Sequence, residues 1–238
     1  ARQYLSGPML MIFSDTLINA DFSFLDREKS NAVAWVKPVP DPRRFGVAEV
    51  NEDGWVTRFI EKPESMDNNM VVVGCYYFRN SEDLMAAIEE QFNRDVQLKN
   101  EFFMTDAISI MIEKGALVRT EIVDTWLDAG TIDATLETNA TLLKRMDAKP
   151  EERPEVKVVP PVFIHPTAEI REAVIGPNVS IGPDCKINQA VIQDSIIEEG
   201  TQITKAALTH SLIGRNCVVE GQPNQEEASS LNIGDNSN

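Results

Sequence analysis

Basic residues are scarce in this chain. Lysine and arginine together number 22 against 38 aspartates and glutamates, for a formal net charge of −16, and no stretch gathers the cations into a cluster. A nucleic-acid backbone is thereby excluded as a partner, because phosphate contacts need clustered Lys and Arg. An anionic small ligand would need a local basic site. Cysteine is also rare, with three scattered residues, and no apolar run approaches the roughly 20 residues of a membrane span. No signal peptide is visible, so the expectation is a reduced, soluble, cytoplasmic setting with no membrane partner. What is present is ordinary for a globular protein. Hydrophobic residues make up 42% of 238 positions, enough for one substantial core and a second, smaller one.

Along the first half, strand-like and helix-like patterns alternate. Met9 to Phe13 is a short apolar run ended by Ser14-Asp15-Thr16, the pattern of a buried parallel strand delivering a polar residue at its carboxyl end. Asp21 to Glu28 suits a short helix, and Asn31 to Val36 a second strand stopped by Pro38 and Pro40. A proline-rich loop leads to Gly46 at the start of another strand, where glycine either lets a backbone approach a ligand or marks a simple bulge. Val56 to Ile60 follows the turn Asp53-Gly54, and Val71 to Phe78 is strand-like with Gly74 inside it. Leu84, Ala87, Ile88 and Phe92 give Ser81 to Phe92 a helical face; Thr105 to Lys114 repeats the pattern and Gly115 stops it. The strand Leu117 to Ile122 and the helix Ile132 to Met146 complete an alternation that argues for a mostly parallel α/β sheet.

From residue 149 to 161 a charged, proline-containing linker separates residues 1–148 from 162–238, and helical periodicity ceases. Aliphatic residues recur at steps of five and six, and three steps make a coil that repeats every sixteen: Ile181, Ile197 and Ile213; Ile187, Ile203 and Val219; Ile192 and Leu208. Asp184, Gly200 and Asn216 keep the same interval, and these residue types tolerate a left-handed backbone. This is a short left-handed parallel β-helix of about three coils, each burying its aliphatic face by stacking on the next. Gln222 to Ser230 reads as a loop, and Leu231 to Asn236 as the start of one more coil. Cys185 and Cys217 fall two coils apart in one column, about 9.6 Å at the ~4.8 Å spacing of neighbouring strands. That is too far for a disulfide.

The stretch Phe59-Ile60-Glu61-Lys62-Pro63 draws the most chemical interest. A carboxylate and an ammonium at a strand's end can grip two ends of one polar ligand, Glu61 accepting from hydroxyls and Lys62 neutralising a phosphate as a point charge. The same pair also reads as an ordinary solvated Glu-Lys.

Six stretches in order, Ser14-Asp15, Arg44 to Val47, Glu61-Lys62-Pro63, Val73 to Phe78, Thr105-Asp106-Ala107 and Trp126 to Thr131, joined to a β-helix, resemble the sugar-phosphate nucleotidyltransferases, also called NDP-sugar pyrophosphorylases. Within that family the chain looks most like glucose-1-phosphate thymidylyltransferases with a C-terminal hexapeptide extension. The resemblance implies an incomplete Rossmann-like mixed sheet followed by the β-helix. It implies transfer of a nucleotidyl group from a nucleoside triphosphate to a sugar 1-phosphate with release of pyrophosphate. It implies that Asp15 and Asp128 bind Mg²⁺, that Lys62 contacts the sugar phosphate and is the catalytic residue, that Glu61 contacts the sugar hydroxyls, and that the backbones at Gly46 and Gly74 meet the sugar ring. Asp128 reads alternatively as the N-cap of the helix that follows it, and Trp126 as core packing. Homo-oligomers through the β-helix are a further expectation.

Two departures stand out. Ser14 replaces the family's glycine before the first metal aspartate, and no Gly-x-Gly run precedes Asp15, where the family holds its triphosphate; only Arg2 is at hand. The sequence alone therefore gives the expectation of a truncated enzyme whose chain by itself is inactive. A non-catalytic regulatory or assembly subunit of the same fold is the alternative. A hexapeptide acyltransferase would need a catalytic histidine, for which only His165 and His210 are available.

Overall fold

The computed structural model describes residues 2–146, 153, 155–221 and 227–237. By internal contacts the chain divides into two compact units, Ala1–Leu127 and Asp128–Asn238. The first contains β1 (Met9–Ile12), β2 (Thr16–Asn19), β3 (Ala32–Pro38), β4 (Gly46–Val50), β5 (Val56–Glu61), β6 (Met70–Phe78), α1 (Ser81–Arg94), α2 (Met104–Glu113) and β7 (Val118–Ile122), followed by β8 (Thr125–Asp128), in which the division falls; α3 (Ile132–Met146) belongs to the second. The sequence pattern puts a boundary at residue 148, whereas the contacts give α3 to the second unit.

The main sheet runs β5-β4-β6-β3-β7, with β1 also on β6, while β2 and β8 form a separate ribbon. It is mixed, and mostly antiparallel. Only β3 and β7 are parallel, whereas β1/β6, β3/β6, β4/β5 and β4/β6 are antiparallel. The expectation of a mostly parallel sheet fails because its connections are short. From β4 to β5 the chain turns at Asn51–Trp55, where Asn51 Oδ1 accepts from the Trp55 N–H at 2.9 Å and Gly54 takes a φ of 84°. A turn of that length joins antiparallel strands; a parallel partner needs a crossover of a dozen or more residues. Here α1 and α2 lead from β6 to β7, which run in opposite directions, and β7 lies parallel to β3 across the whole intervening stretch of β4, β5, β6 and the two helices.

Both faces of the sheet are covered. Ala34, Val36, Val72, Tyr76 and Phe78 pack with Leu84, Ala87, Ile108 and Met111 of the two helices; Val33, Trp35, Val73 and Cys75 pack on the other face with Phe22, Phe24 and Trp126. Ala32 to Val36 are therefore buried without alternation. Met9 to Phe13 is not a buried parallel strand. It pairs antiparallel with β6, and Leu10, Ile12 and Phe13 are 42%, 45% and 41% exposed. Asp21 to Glu28 forms only a 3-10 turn at Leu25–Arg27. Phe92 is not on the buried face of α1; it packs against Phe102 with ring centroids 4.5 Å apart and the rings tilted by 59°. Arg119 of β7 ties the turn down, bonding Glu28 Oε2 at 2.8 Å and lying 4.9 Å over the Phe24 ring.

In the second unit, the aliphatic columns expected from the sequence are observed as parallel rungs. Ile164, Ile181, Ile197, Ile213 and Ile233 stack in one, Ile170, Ile187, Ile203 and Val219 in the next, and Val158, Ile175, Ile192 and Leu208 in the third. The parallel β-solenoid is longer than three coils. Val156–Val158, inside the expected linker, already forms a strand, and Asn232–Ile233 adds a final rung; linker residues 149–152 and 154, and loop residues 222–226, lie outside the described residues. Asp184, Gly200 and Asn216 all have positive φ, and two further corners share the trait: Asn178, Asp194 and His210; Glu172, Gln189 and Lys205. Cys185 and Cys217 are free and buried, and Thr201 stands between them, its hydroxyl taking the Cys217 N–H at 3.1 Å. Among the described residues no helix is long and apolar enough to cross a membrane.

Candidate functional site

The antiparallel register of β4 and β5 sets Gly46 directly opposite Glu61. One residue later the strand breaks. Lys62 adopts a left-handed φ of 47° while its N–H still bonds the Phe45 carbonyl at 2.9 Å, and Pro63 prevents further pairing. A non-glycine residue in this conformation costs on the order of 1 kcal/mol, so the surroundings fix it. Its ammonium is held from the other side. It lies 4.5 Å from the Phe103 ring centroid and 3.6 Å from Glu101 Oε2. Phe103 is itself anchored, its carbonyl accepting from the buried Gln91 amide at 3.0 Å.

Glu61, at the end of β5, is half-buried against the start of α2. Thr105 Oγ1 donates to Glu61 Oε2 at 3.0 Å. Burial pushes the Glu61 carboxyl above its ordinary range, and Asp106 and Glu101 add to the effect; the Thr105 bond and Lys62 oppose it. Burial raises Asp106 as well. A single ammonium thus stands among three carboxylates, two of which are poorly solvated. Gly46 is packed beneath them: a Cβ there would meet Glu61 Oε2 and Thr105 Cγ2, each at 2.8 Å.

Gly74 occupies a different environment. With φ at 73° it interrupts β6, its carbonyl accepts the Phe13 N–H at 2.8 Å, and a Cβ would meet the Phe13 ring and Thr16 Oγ1. Its structural role is to seat the loop carrying Asp15. Asp15 is exposed and makes no hydrogen bond or ion pair among the described residues. In the second unit, Asp128 Oδ1 accepts the Gly130 N–H at 3.0 Å, and the Thr138 hydroxyl bonds the Asp128 carbonyl at 2.7 Å. The cap of α3 is Thr131, whose hydroxyl takes the Ala134 N–H at 3.2 Å, so Asp128 is not needed for capping. Among the described residues no three His, Cys, Asp or Glu side chains gather into a metal cage. Trp126 packs in the core, edge-on to Phe45 with centroids 5.0 Å apart.

The sequence assigns no role to Glu101, Phe103 or the Thr105 hydroxyl. Thr105 lies 44 residues from Glu61, and no local pattern joins them.

A family model described as Nucleotidyl transferase matches residues 3–145. The chain belongs to the nucleotidyl transferase family. Residues 158–232 match a second model, described as the GMPPB C-terminal domain. The chain is similar to a glucose-1-phosphate thymidylyltransferase from Streptomyces griseus, 28% identical over 84% of this chain and 61% of the relative. It is also similar to a probable mannose-1-phosphate guanyltransferase from Schizosaccharomyces pombe, 29% identical over 83% of this chain and 54% of the relative. The chain thus spans 54% to 61% of the lengths of these two relatives. A crystal structure of a nucleoside-diphosphate-sugar pyrophosphorylase from Vibrio cholerae shares the fold, with a TM-score of 0.50 at 17% identity, covering 56% of each chain.

Proposed function

We propose that the end of β5 is a sugar 1-phosphate site, and that the protein is a sugar-1-phosphate nucleotidyltransferase. One observation carries the reading. Glu61 and Lys62 are adjacent, yet their charged ends are held apart by different partners, Thr105 for the carboxylate and Phe103 with Glu101 for the ammonium. A ligand with hydroxyls at one end and a phosphate at the other satisfies both. Lys62 neutralises the phosphate in both ground and transition states, Glu61 accepts from ring hydroxyls, and the backbones at Gly46 and Gly74 bound the ring.

In the reaction, a phosphate oxygen of the sugar phosphate attacks the α-phosphorus of the triphosphate. A new P–O–P linkage forms, the α–β phosphoanhydride breaks, and its electron pair leaves with pyrophosphate. Such transfers are catalysed by positioning and charge neutralisation. The resemblance assigns Asp15 and Asp128 as oxygen donors for Mg²⁺, a hard cation that takes carboxylates; each within its own unit, Asp15 is unpaired among the described residues and Asp128 has one oxygen committed, to Gly130. The metal would offset phosphate charge. The name of the Streptomyces griseus relative makes glucose 1-phosphate with thymidine triphosphate the first pair to try, in a cytoplasmic protein that self-associates through its solenoid.

The test is calorimetric titration of the chain with glucose 1-phosphate, alongside Lys62→Met and Glu61→Gln. Binding in the micromolar to millimolar range that each substitution weakens at least tenfold supports the site. Equal binding by all three proteins would overturn it.

A further inference from the structure

The two oxygens of Glu61 are not equivalent. Oε2 is enclosed: it accepts from Thr105 Oγ1 at 3.0 Å, and the position of a Gly46 Cβ would lie 2.8 Å from that oxygen. Oε1 has no hydrogen-bond partner among the described residues. Thr105 is itself immobilised. It is 3% exposed, and its carbonyl accepts the Ser109 hydroxyl at 2.9 Å, whose oxygen takes the Phe59 N–H of β5 at 3.3 Å. The first two turns of α2 are therefore bonded to β5 at two points, and one of them is the Glu61 carboxylate.

We propose that Thr105 is a positioning residue for Glu61: together with the side-chain space left empty at Gly46, it turns Oε2 inward and presents Oε1 to a ligand hydroxyl. Gly46 then matters for the room it leaves beneath the carboxylate, a duty separate from any backbone contact with the sugar. The Thr105 hydroxyl also opposes the upward push of burial on the Glu61 carboxyl, and the groups around Glu61 act in both directions. Asp106 on α2 and Glu101 before it disfavour a further negative charge, Lys62 favours it, and Tyr76 on β6 is buried close enough to feel it. Losing a hydrogen bond to a charged group is expected to weaken binding about tenfold, and a carboxylate without its donor ionises at higher pH.

The proposal rests on the sugar 1-phosphate reading for its ligand, but a second measurement frees it from that reading. The full chain and its Thr105→Val, Thr105→Ser and Gly46→Ala variants are titrated with glucose 1-phosphate at a series of pH values, and the Glu61 carboxyl is followed by ¹³C NMR in the same proteins without ligand. Thr105→Val is expected to bind about tenfold more weakly, to lose binding at a higher pH than the parent as pH falls, and to show a raised Glu61 titration midpoint; Thr105→Ser restores all three, and Gly46→Ala follows Thr105→Val. If no protein binds glucose 1-phosphate, the site reading fails and the carboxyl titration alone decides the role of Thr105. An unchanged Glu61 midpoint in folded Thr105→Val overturns the proposal. Should that variant not fold, an unchanged midpoint in Gly46→Ala does so.

Discussion

The Lys62 ammonium rests 4.5 Å from the centre of the Phe103 ring, with Glu101 at 3.6 Å. The ring orients the charge and the carboxylate competes for it. Replacing Phe103 with Leu removes an attraction of about 0.5–1 kcal/mol, so the affinity for glucose 1-phosphate is expected to fall roughly threefold. Replacing Glu101 with Gln removes the competitor, and affinity is expected to rise. Titration of the two variants measures both effects, and opposite signs are the outcome that identifies Glu101 as a competitor.

Glu28 sets an acid limit on the first unit. Burial alone would raise its carboxyl, but bonds from Arg119 and Ser30 outweigh burial and hold it at about 2, against an ordinary 4.5. A depressed carboxyl stabilises the fold fully above its unfolded value, and that contribution fades as pH falls from about 4.5 to about 2. Glu28→Gln is expected to cost about 1–3 kcal/mol at pH 7 and nothing near pH 2. Urea unfolding of both proteins across that range checks the convergence.

Two glycines of the solenoid contrast sharply. A Cβ at Gly221 would stand 2.1 Å from the Lys205 carbonyl oxygen, backbone that belongs to the next rung, while a Cβ at Gly234 meets nothing within 4 Å. Gly221→Ala must push neighbouring rungs apart, at a cost of about 2 kcal/mol or more. Gly234→Ala is expected to stay within about 0.5 kcal/mol of the parent. Thermal melting of the two variants measures the difference.

These contrasts follow how much of the molecule was legible in its sequence. The solenoid could be read because every rung repeats one demand, an inward aliphatic residue, and Ile181, Ile197 and Ile213 answer it at a fixed interval. Several corner positions could not. Gln189, Lys205 and His210 adopt left-handed backbones that their residue types do not advertise, because closing the coil overrides local preference. In the first unit most strands were visible, though not the short β2 and β8, and pairing direction depends on connection length, which periodicity ignores. Glu61 and Lys62 were visible as a pair of charges next to a proline. That Thr105 grips one and Phe103 the other is a product of α2 folding back onto β5, and such contacts leave no trace in the order of residues.

The stack steps by 17 residues from Ile164 to Ile181, by 16 to Ile197 and again to Ile213, then by 20 to Ile233. The last rung nevertheless falls into line. Alignment is thus indexed by which residue points inward, and the length of chain spent at a corner is free to vary, since doubling a flexible loop costs only about 0.6 kcal/mol. The extra residues fall between Glu220 and Ser229, so a change in their number should leave the rung at Asn232–Ile233 in register with Leu212 and Ile213.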